Sequence, residues 1–401
     1  MTKTERRQLW MAVHRYLGLM TFVFLAVAAA TGCLLCFEKP LDRALNPALF
    51  RPQAPAQIDP LIAVEALERA RPALAATYFP MRPVAGRNIL VAVEAKPGHA
   101  KLDYDQVFLD GADGHIVGTR DSKPGWDARH VVRGIYWLHF TLLAGTAGRW
   151  LMGGVALAWL IGNGIGVYLT WPTIRPYFRR WWKAWTFKPK GPLLRISLDL
   201  HRTIGLWLLV PLTALAFTSV MMNFFDEVTV PIVGHLAPPD PSPFDAPPPL
   251  SPEPRAISFQ KLVSDAEALA IHRRLGWRAA TVQQEPDRGL LGVRFTHSGY
   301  DEYRKLGPVT YWFDPHGRFV HEDSPYADSA GMAFQRSLYP LHTGEMIGPA
   351  GIAFDLILGL ATLMFTATGV YLWIKRRRGR VAARKRNREK NRALRARRAA
   401  R

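Results

Sequence analysis

Four histidines recur in two matched settings along this 401-residue chain. His14-Arg15-Tyr16-Leu17-Gly18-Leu19 is echoed by His201-Arg202-Thr203-Ile204-Gly205-Leu206. His139 and His342 form a second matched couple: an Arg stands six residues before each (Arg133, Arg336) and a Gly nine after (Gly148, Gly351). Gly-Val-Tyr-Leu begins 27 residues after each of these two (Gly166, Gly369). A neutral imidazole is a good ligand for a transition metal, and two of them on neighbouring helices supply both axial nitrogens of a six-coordinate haem iron. Zinc or copper would need further ligands, and no Cys or carboxylate recurs at matching offsets to provide them. A single histidine at a membrane surface is more often an amphipathic residue whose tip reaches the headgroups. Four of them, matched in copy and in side, favour ligation. Arg15, Arg202, Arg133 and Arg336 are then candidate partners for haem propionates, because a guanidinium pairs a carboxylate bidentately. For Arg15 and Arg202 simple anchoring on the cytoplasmic side explains the charge equally well.

The elements that must position these residues are membrane helices. Crossing about 30 Å of hydrocarbon takes roughly 20 apolar residues. Residues 16–37, 150–171, 203–225 and 350–374, the last with an uncharged core at 356–374, meet that length. Of the 52 Lys and Arg, 27 lie in 1–15, 172–202 and 374–401, with only 3 of the 32 acids. This asymmetry is the positive-inside pattern and predicts a cytoplasmic N-terminus (1–15), basic loop (172–202) and basic tail (375–401) of an inner-membrane protein. The net charge of +20 is therefore membrane charge, resting on the lipid bilayer, and no nucleic acid is expected as a partner. The first span begins like a signal peptide, but its 22 apolar residues exceed a typical signal core, so a retained helix is expected. Both copies begin inside, which puts His14 and His201 at the inner ends of their spans and His139 and His342 on the outer side. The chain reads as two copies of one unit, about 1–190 and 191–380.

The segments between the spans, 38–149 and 226–349, are long and apolar enough to fold as two small outer α+β domains. Residues 107–117 and 311–320 both read as strand, Asp/Gly turn, strand, each preceded by an amphipathic helix candidate, 61–71 and 259–269. Residues 238–254 hold nine prolines and read as an extended linker. Cys33 and Cys36 form a C-x-x-C at the end of an apolar helix; they read as two small apolar residues, and Phe37 stands where covalent haem attachment would need His. Gly162-Asn163-Gly164-Ile165-Gly166 lies inside a span and reads as close helix packing rather than a dinucleotide loop. Asp355, at the edge of the fourth span, is a functional candidate or an interfacial helix-end residue. The remaining histidines, at 99, 115, 130, 235, 272, 297, 316 and 321, show no paired spacing and read as surface residues.

These features resemble the PepSY-associated transmembrane family, which includes iron-regulated membrane proteins and ferric-siderophore reductases. The likeness is carried by His14 to Leu19, by Leu198-Asp199-Leu200-His201-Arg202-Thr203-Ile204-Gly205-Leu206-Trp207, by Leu341-His342-Thr343-Gly344, by Gly369-Val370-Tyr371-Leu372-Trp373 and by the two strand-turn-strand segments. The resemblance implies an α-helical integral membrane protein: a four-helix transmembrane core built from two repeats, with two periplasmic PepSY-like domains. It implies two b-type haems, ligated by His14 with His201 and by His139 with His342, and outward electron transfer that reduces a ferric siderophore to release Fe(II). The electron donor, on the cytoplasmic or membrane side, is left open. Alternatives are a haem-free PepSY-type regulatory or accessory subunit of a siderophore transport system, or an electron-transfer subunit for another periplasmic reductase.

Overall fold

The computed structural model describes residues 2–52, 58–82, 84–238, 240–301, 305–326 and 329–399. The principal elements in chain order are α1 (Lys3–Leu35), α2 (Pro60–Ala70), β1 (Leu74–Pro80), β2 (Ile89–Ala95), β3 (Gln106–Leu109), β4 (Ile116–Arg120), α3 (Val131–Thr141), α4 (Gly145–Thr170), α5 (Leu193–Trp207), α6 (Leu209–Asn223), α7 (Phe259–His272), β5 (Arg278–Glu285), β6 (Leu290–Thr296), β7 (Val309–Phe313), β8 (Phe319–Asp323), α8 (Ala330–His342) and α9 (Pro349–Ala399). They divide into two compact units: a helical one (residues 1–33, 138–224 and 354–401) and a sheet-bearing one (34–137 and 225–353).

In the helical unit, α1, α4 and α9 are each long and apolar enough to cross a membrane. Their few hydroxyls turn inward on the backbone: Thr21, Thr31 and Thr362 donate to the carbonyls of Leu17, Val27 and Leu358 at 2.7–2.9 Å. No water is available at that depth, so this pairing removes an unsatisfied polar group. The apolar run 203–225, expected as one straight span, is instead broken. Helix α5 ends at Trp207, α6 begins at Leu209, and the two are bent by 75°, so they make a further span only if taken together. Pro211 supplies the physical reason: its ring excludes the carbonyl four residues back, that of Trp207, and it has no N–H to close that turn. Helix α4 packs on α6 through Gly153, where a side chain would meet the Phe224 ring at 2.6 Å, and Arg149 donates to the Asn223 carbonyl at 2.9 Å.

In the sheet-bearing unit the two expected small domains are fused. All eight strands form one antiparallel sheet in the order β4-β3-β2-β1-β5-β6-β7-β8, symmetric about the β1–β5 seam. There Tyr78 faces Gln283, Phe79 faces Val282 and Pro80 faces Thr281. Each half would otherwise leave one long strand edge unpaired, and joining them removes both edges. Both expected helices form. Asp59 caps α2, accepting from the Leu61 N–H at 2.9 Å, and Ser258 caps α7, accepting from Lys261 N–H at 3.1 Å. Both lay their apolar faces on the same side of the sheet, so Val64, Leu67, Phe259, Leu262 and Ala266 share one core with Phe79, Val91, Val282 and Phe295. Across the seam, buried Glu68 accepts from Ala76 N–H (2.9 Å), Gln284 Nε2 (2.8 Å) and Arg255 Nη2 (2.7 Å). The expected strand-turn-strand segments are β3–β4 and β7–β8, with Gly114 and Gly317 at φ +81° and +84° in the turns, a conformation glycine adopts without penalty. The described residues of the proline-rich stretch have no regular secondary structure but are held to the sheet: Phe244 packs edge-on against Trp312 at 4.9 Å, and Arg288 donates to the Ala246 carbonyl at 2.6 Å.

Candidate functional site

The sequence places His14 eleven residues into α1 and His201 eight residues into α5, and the fold brings the two rings to 6.5 Å between centres, nearly perpendicular. Two imidazoles bonded to one metal ion at about 2 Å each have ring centres about 6.3 Å apart, so the spacing is that of an axial pair. Both rings line one cavity of about 460 Å³ in the helical unit, within the size range of small-molecule and cofactor pockets. Its walls are largely apolar, among them Leu17, Phe22, Trp159, Leu206 and Phe365.

The repeat glycines explain how the rings find room. A side chain at Gly166 of α4 would meet His14 Cε1 at 3.7 Å, and one at Gly369 of α9 would meet His201 Cε1 at 3.8 Å. These are the Gly of the two Gly-Val-Tyr-Leu repeats, so His14 and His201 each face the repeat glycine of a later long helix, α4 and α9. The glycine-rich stretch of α4, expected to pack helices together, has a different role. Gly162 and Gly166 line the cavity, and no atom outside α4 lies within 4 Å of a side chain built at Gly162 or Gly164.

Hydrogen bonds fix which ring nitrogen is free. Thr368 Oγ1 donates its only proton to the Met364 carbonyl at 2.7 Å and so must accept from His201 Nδ1, 3.0 Å away. His139 Nδ1 lies 3.0 Å from the Ala28 carbonyl, which can only accept, and 3.0 Å from Thr31 Oγ1, whose proton is committed to Val27. In both histidines the proton therefore sits on Nδ1, leaving the Nε2 lone pair for a metal, the arrangement found around ligating imidazoles. Sequence reasoning missed these threonines. Thr31 and Thr218 stand 17 residues after His14 and His201, an offset that would have exposed Thr31.

Of the arginines, Arg15 and Arg202 line the inner cavity, as do Arg376 and Arg380 of α9, which the spacing argument did not single out. Arg202 Nη2 pairs with Asp199 at 2.9 Å while its Nε is buried without a hydrogen-bond partner. Arg133 and Arg336 belong to the sheet-bearing unit and are engaged there: Arg133 donates to the Ser122 carbonyl at 3.2 Å and stacks on Tyr136, and Arg336 pairs with Asp323 of β8. His342 closes α8 in that same unit. Cys33 packs against Gly359, where a side chain would meet its Sγ at 2.6 Å, and the two cysteines form no disulfide; Cys33 lies within α1 and Cys36 in the turn that follows it. Asp355 lies half-buried near the start of α9. The unpaired-spacing histidines that make contacts do so outside the cavity: His130 with Asp127 and Asp121, His316 with Glu253, His115 with Asp113.

Three apolar helices of spanning length, joined to a helix-backed antiparallel sheet, define a membrane protein. Within that class, the family model of the PepSY-associated TM region matches residues 11–376, and the chain belongs to this family. No curated protein matches it.

Proposed function

We propose that this protein is a transmembrane electron carrier that holds b-type haem on paired histidines and reduces ferric siderophores on the outer side of the bacterial inner membrane, releasing Fe(II). The observation that carries the reading is the His14–His201 couple: two rings at axial-ligand spacing in one apolar cavity, with His201 locked in the tautomer that ligates. The residues present fit the group. His14 and His201 would hold the iron, and Arg15, Arg202, Arg376 and Arg380 would neutralise the propionates at the rim. The apolar walls would keep water from competing with the two histidines for the iron. Bound there, haem supplies a one-electron Fe(III)/Fe(II) couple.

By the repeat, a second haem would be held by His139 and His342, with Arg133 and Arg336 as candidate propionate partners; the protonated Nδ1 of His139 supports that histidine's role. The proposal includes the topology: α1, α4, the bent pair α5–α6 and α9 as four spans, both termini in the cytoplasm, and the sheet in the periplasm, as the basic segments require. Fe(II) leaves because hard oxygen chelators hold it less well than Fe(III). The ferric siderophore as substrate follows from the family likeness.

Anaerobically reduced protein mixed with a ferric siderophore and a colorimetric Fe(II) trap is expected to reoxidise as the trap colours in proportion. A haem spectrum that stays reduced beside the ferric chelate would favour an electron-transfer subunit for another reductase. A protein with no haem spectrum would favour the haem-free regulatory or transport-accessory reading.

A further inference from the structure

One face of the sheet gathers guanidinium groups at the β1–β5 seam. Arg294 of β6 lies opposite Thr281 of β5; its guanidinium carbon is 5.7 Å from the centre of the Tyr78 ring, and its Nη1 donates to the Tyr78 hydroxyl at 3.3 Å. Tyr78 in turn donates to Asp301 Oδ1 at 2.6 Å. Burial, and then the Asp301 charge, raises the Tyr78 phenol well above its ordinary value, so it remains a donor at any physiological pH.

The segment bearing Asp301 is folded back by Thr296, whose hydroxyl accepts from Gly299 N–H at 3.0 Å and donates to the Tyr300 carbonyl at 3.0 Å. Gly299, at φ +74°, presses on two more arginines: a side chain there would meet the Arg82 guanidinium carbon at 3.2 Å and Arg278 Cβ at 2.9 Å. Arg278 faces Thr296, two residues along β6 from Arg294, so both arginines project from the same face.

Three guanidinium groups converge here on one face of the sheet. Arg120, Arg255, Arg273, Arg318 and Arg336 of the same unit each pair with a carboxylate. Among the described residues neither Arg82 nor Arg278 forms an ion pair, and the one carboxylate beside them, Asp301, accepts from Tyr78 and keeps its charge, which leaves the three arginines in excess. Arg278 is exposed while Arg82 and Arg294 are half-buried, so the group is open to a ligand yet partly desolvated. Planar guanidinium forks recognise carboxylates bidentately, and the Tyr78 phenol, whose proton is given to Asp301, accepts from Arg294 and so holds that guanidinium in place.

We propose that Arg82, Arg278 and Arg294, the last positioned by Tyr78, form a docking site for a small, negatively charged, carboxylate-bearing ferric chelate. This assigns a substrate class to the reductase function and in that respect rests on it. A neutral hydroxamate chelate would leave the arginines uncompensated and bind there weakly.

Gallium(III) chelates separate binding from electron flow, because Ga(III) is not reduced under these conditions. Full-length protein in detergent titrated calorimetrically with Ga(III)–citrate is expected to bind. The Arg82→Gln/Arg278→Gln double variant should bind at least about tenfold more weakly with an unchanged visible spectrum. Neutral Ga(III) trihydroxamate should bind more weakly than Ga(III)–citrate to the native protein and equally to both proteins. Equal citrate-chelate affinity in the double variant would overturn the site, and so would equal affinity for metal-free citrate or for the neutral chelate. A protein that binds Ga(III)–citrate through these arginines but carries no haem would defeat the reductase reading and leave the site standing. A haem-loaded protein that reduces ferric siderophores but ignores Ga(III)–citrate would do the reverse.

Discussion

At the scale of single residues, the site depends on one proton. His201 can ligate only while its Nδ1 carries the hydrogen, and Thr368 is the acceptor that keeps it there. Thr368→Val preserves shape and removes that acceptor, so haem retention at the inner site is expected to fall about 10- to 100-fold. Haem loss on dialysis against apomyoglobin measures this; unchanged retention would show that the ring is oriented by packing alone. The sheet has its own critical residue in Glu68, whose two oxygens satisfy three donors across the seam. Glu68→Ala leaves Arg255 and Gln284 without that partner in the interior and is expected to cost about 3–5 kcal/mol. Thermal loss of the sheet's circular-dichroism signal reads the effect, and Glu68→Gln should lose less. The histidines were legible from the sequence because identical offsets in two copies are a pattern that chance rarely produces. Their threonine partners were not, since a lone Thr in an apolar helix looks like any small residue until a carbonyl and an imidazole are seen beside it.

At the scale of elements, the sequence's hydropathy marked the apolar runs but not where one bends. The run 203–225 is as apolar as its neighbours, and only Pro211 signals the 75° break between α5 and α6. The bend matters because His201 sits on α5, the arm whose direction differs from that of the rest of the run. Spin labels placed on α5 and α6, one at position 195 and one at 217, report it directly. Pro211→Ala is expected to lengthen their separation as the helix straightens, with partial loss of inner haem; an unchanged distance would mean that packing on α4, not proline, sets the angle. The glycines of α4 were misread for a related reason. Small residues permit close helix contact, but they equally permit a ring or a cofactor to approach, and sequence does not distinguish the two.

At the scale of the whole chain, duplication is the organising fact. It was visible as repeated motifs, and a helix followed by four strands recurs twice in the sheet-bearing unit. It did not reveal that those units share one sheet, because strand pairing between copies depends on edge complementarity that hydrophobic alternation leaves open. In the proposed four-span topology the positive-inside rule puts the basic segments 1–15, 172–202 and 374–401 together on one side of the bilayer. The duplicated plan also predicts two chemically similar centres, one for each couple of histidines.

That prediction is the most direct test of the account. Reduced-minus-oxidised absorption spectra of the purified protein are expected to show a Soret band and sharp α-bands of low-spin bis-histidine haem, with two haems per chain. His14→Ala and His201→Ala should each remove about half of that signal, and should remove the same half; His139→Ala should remove the other. Absence of any Soret band, or full haem content in His14→Ala, would contradict it.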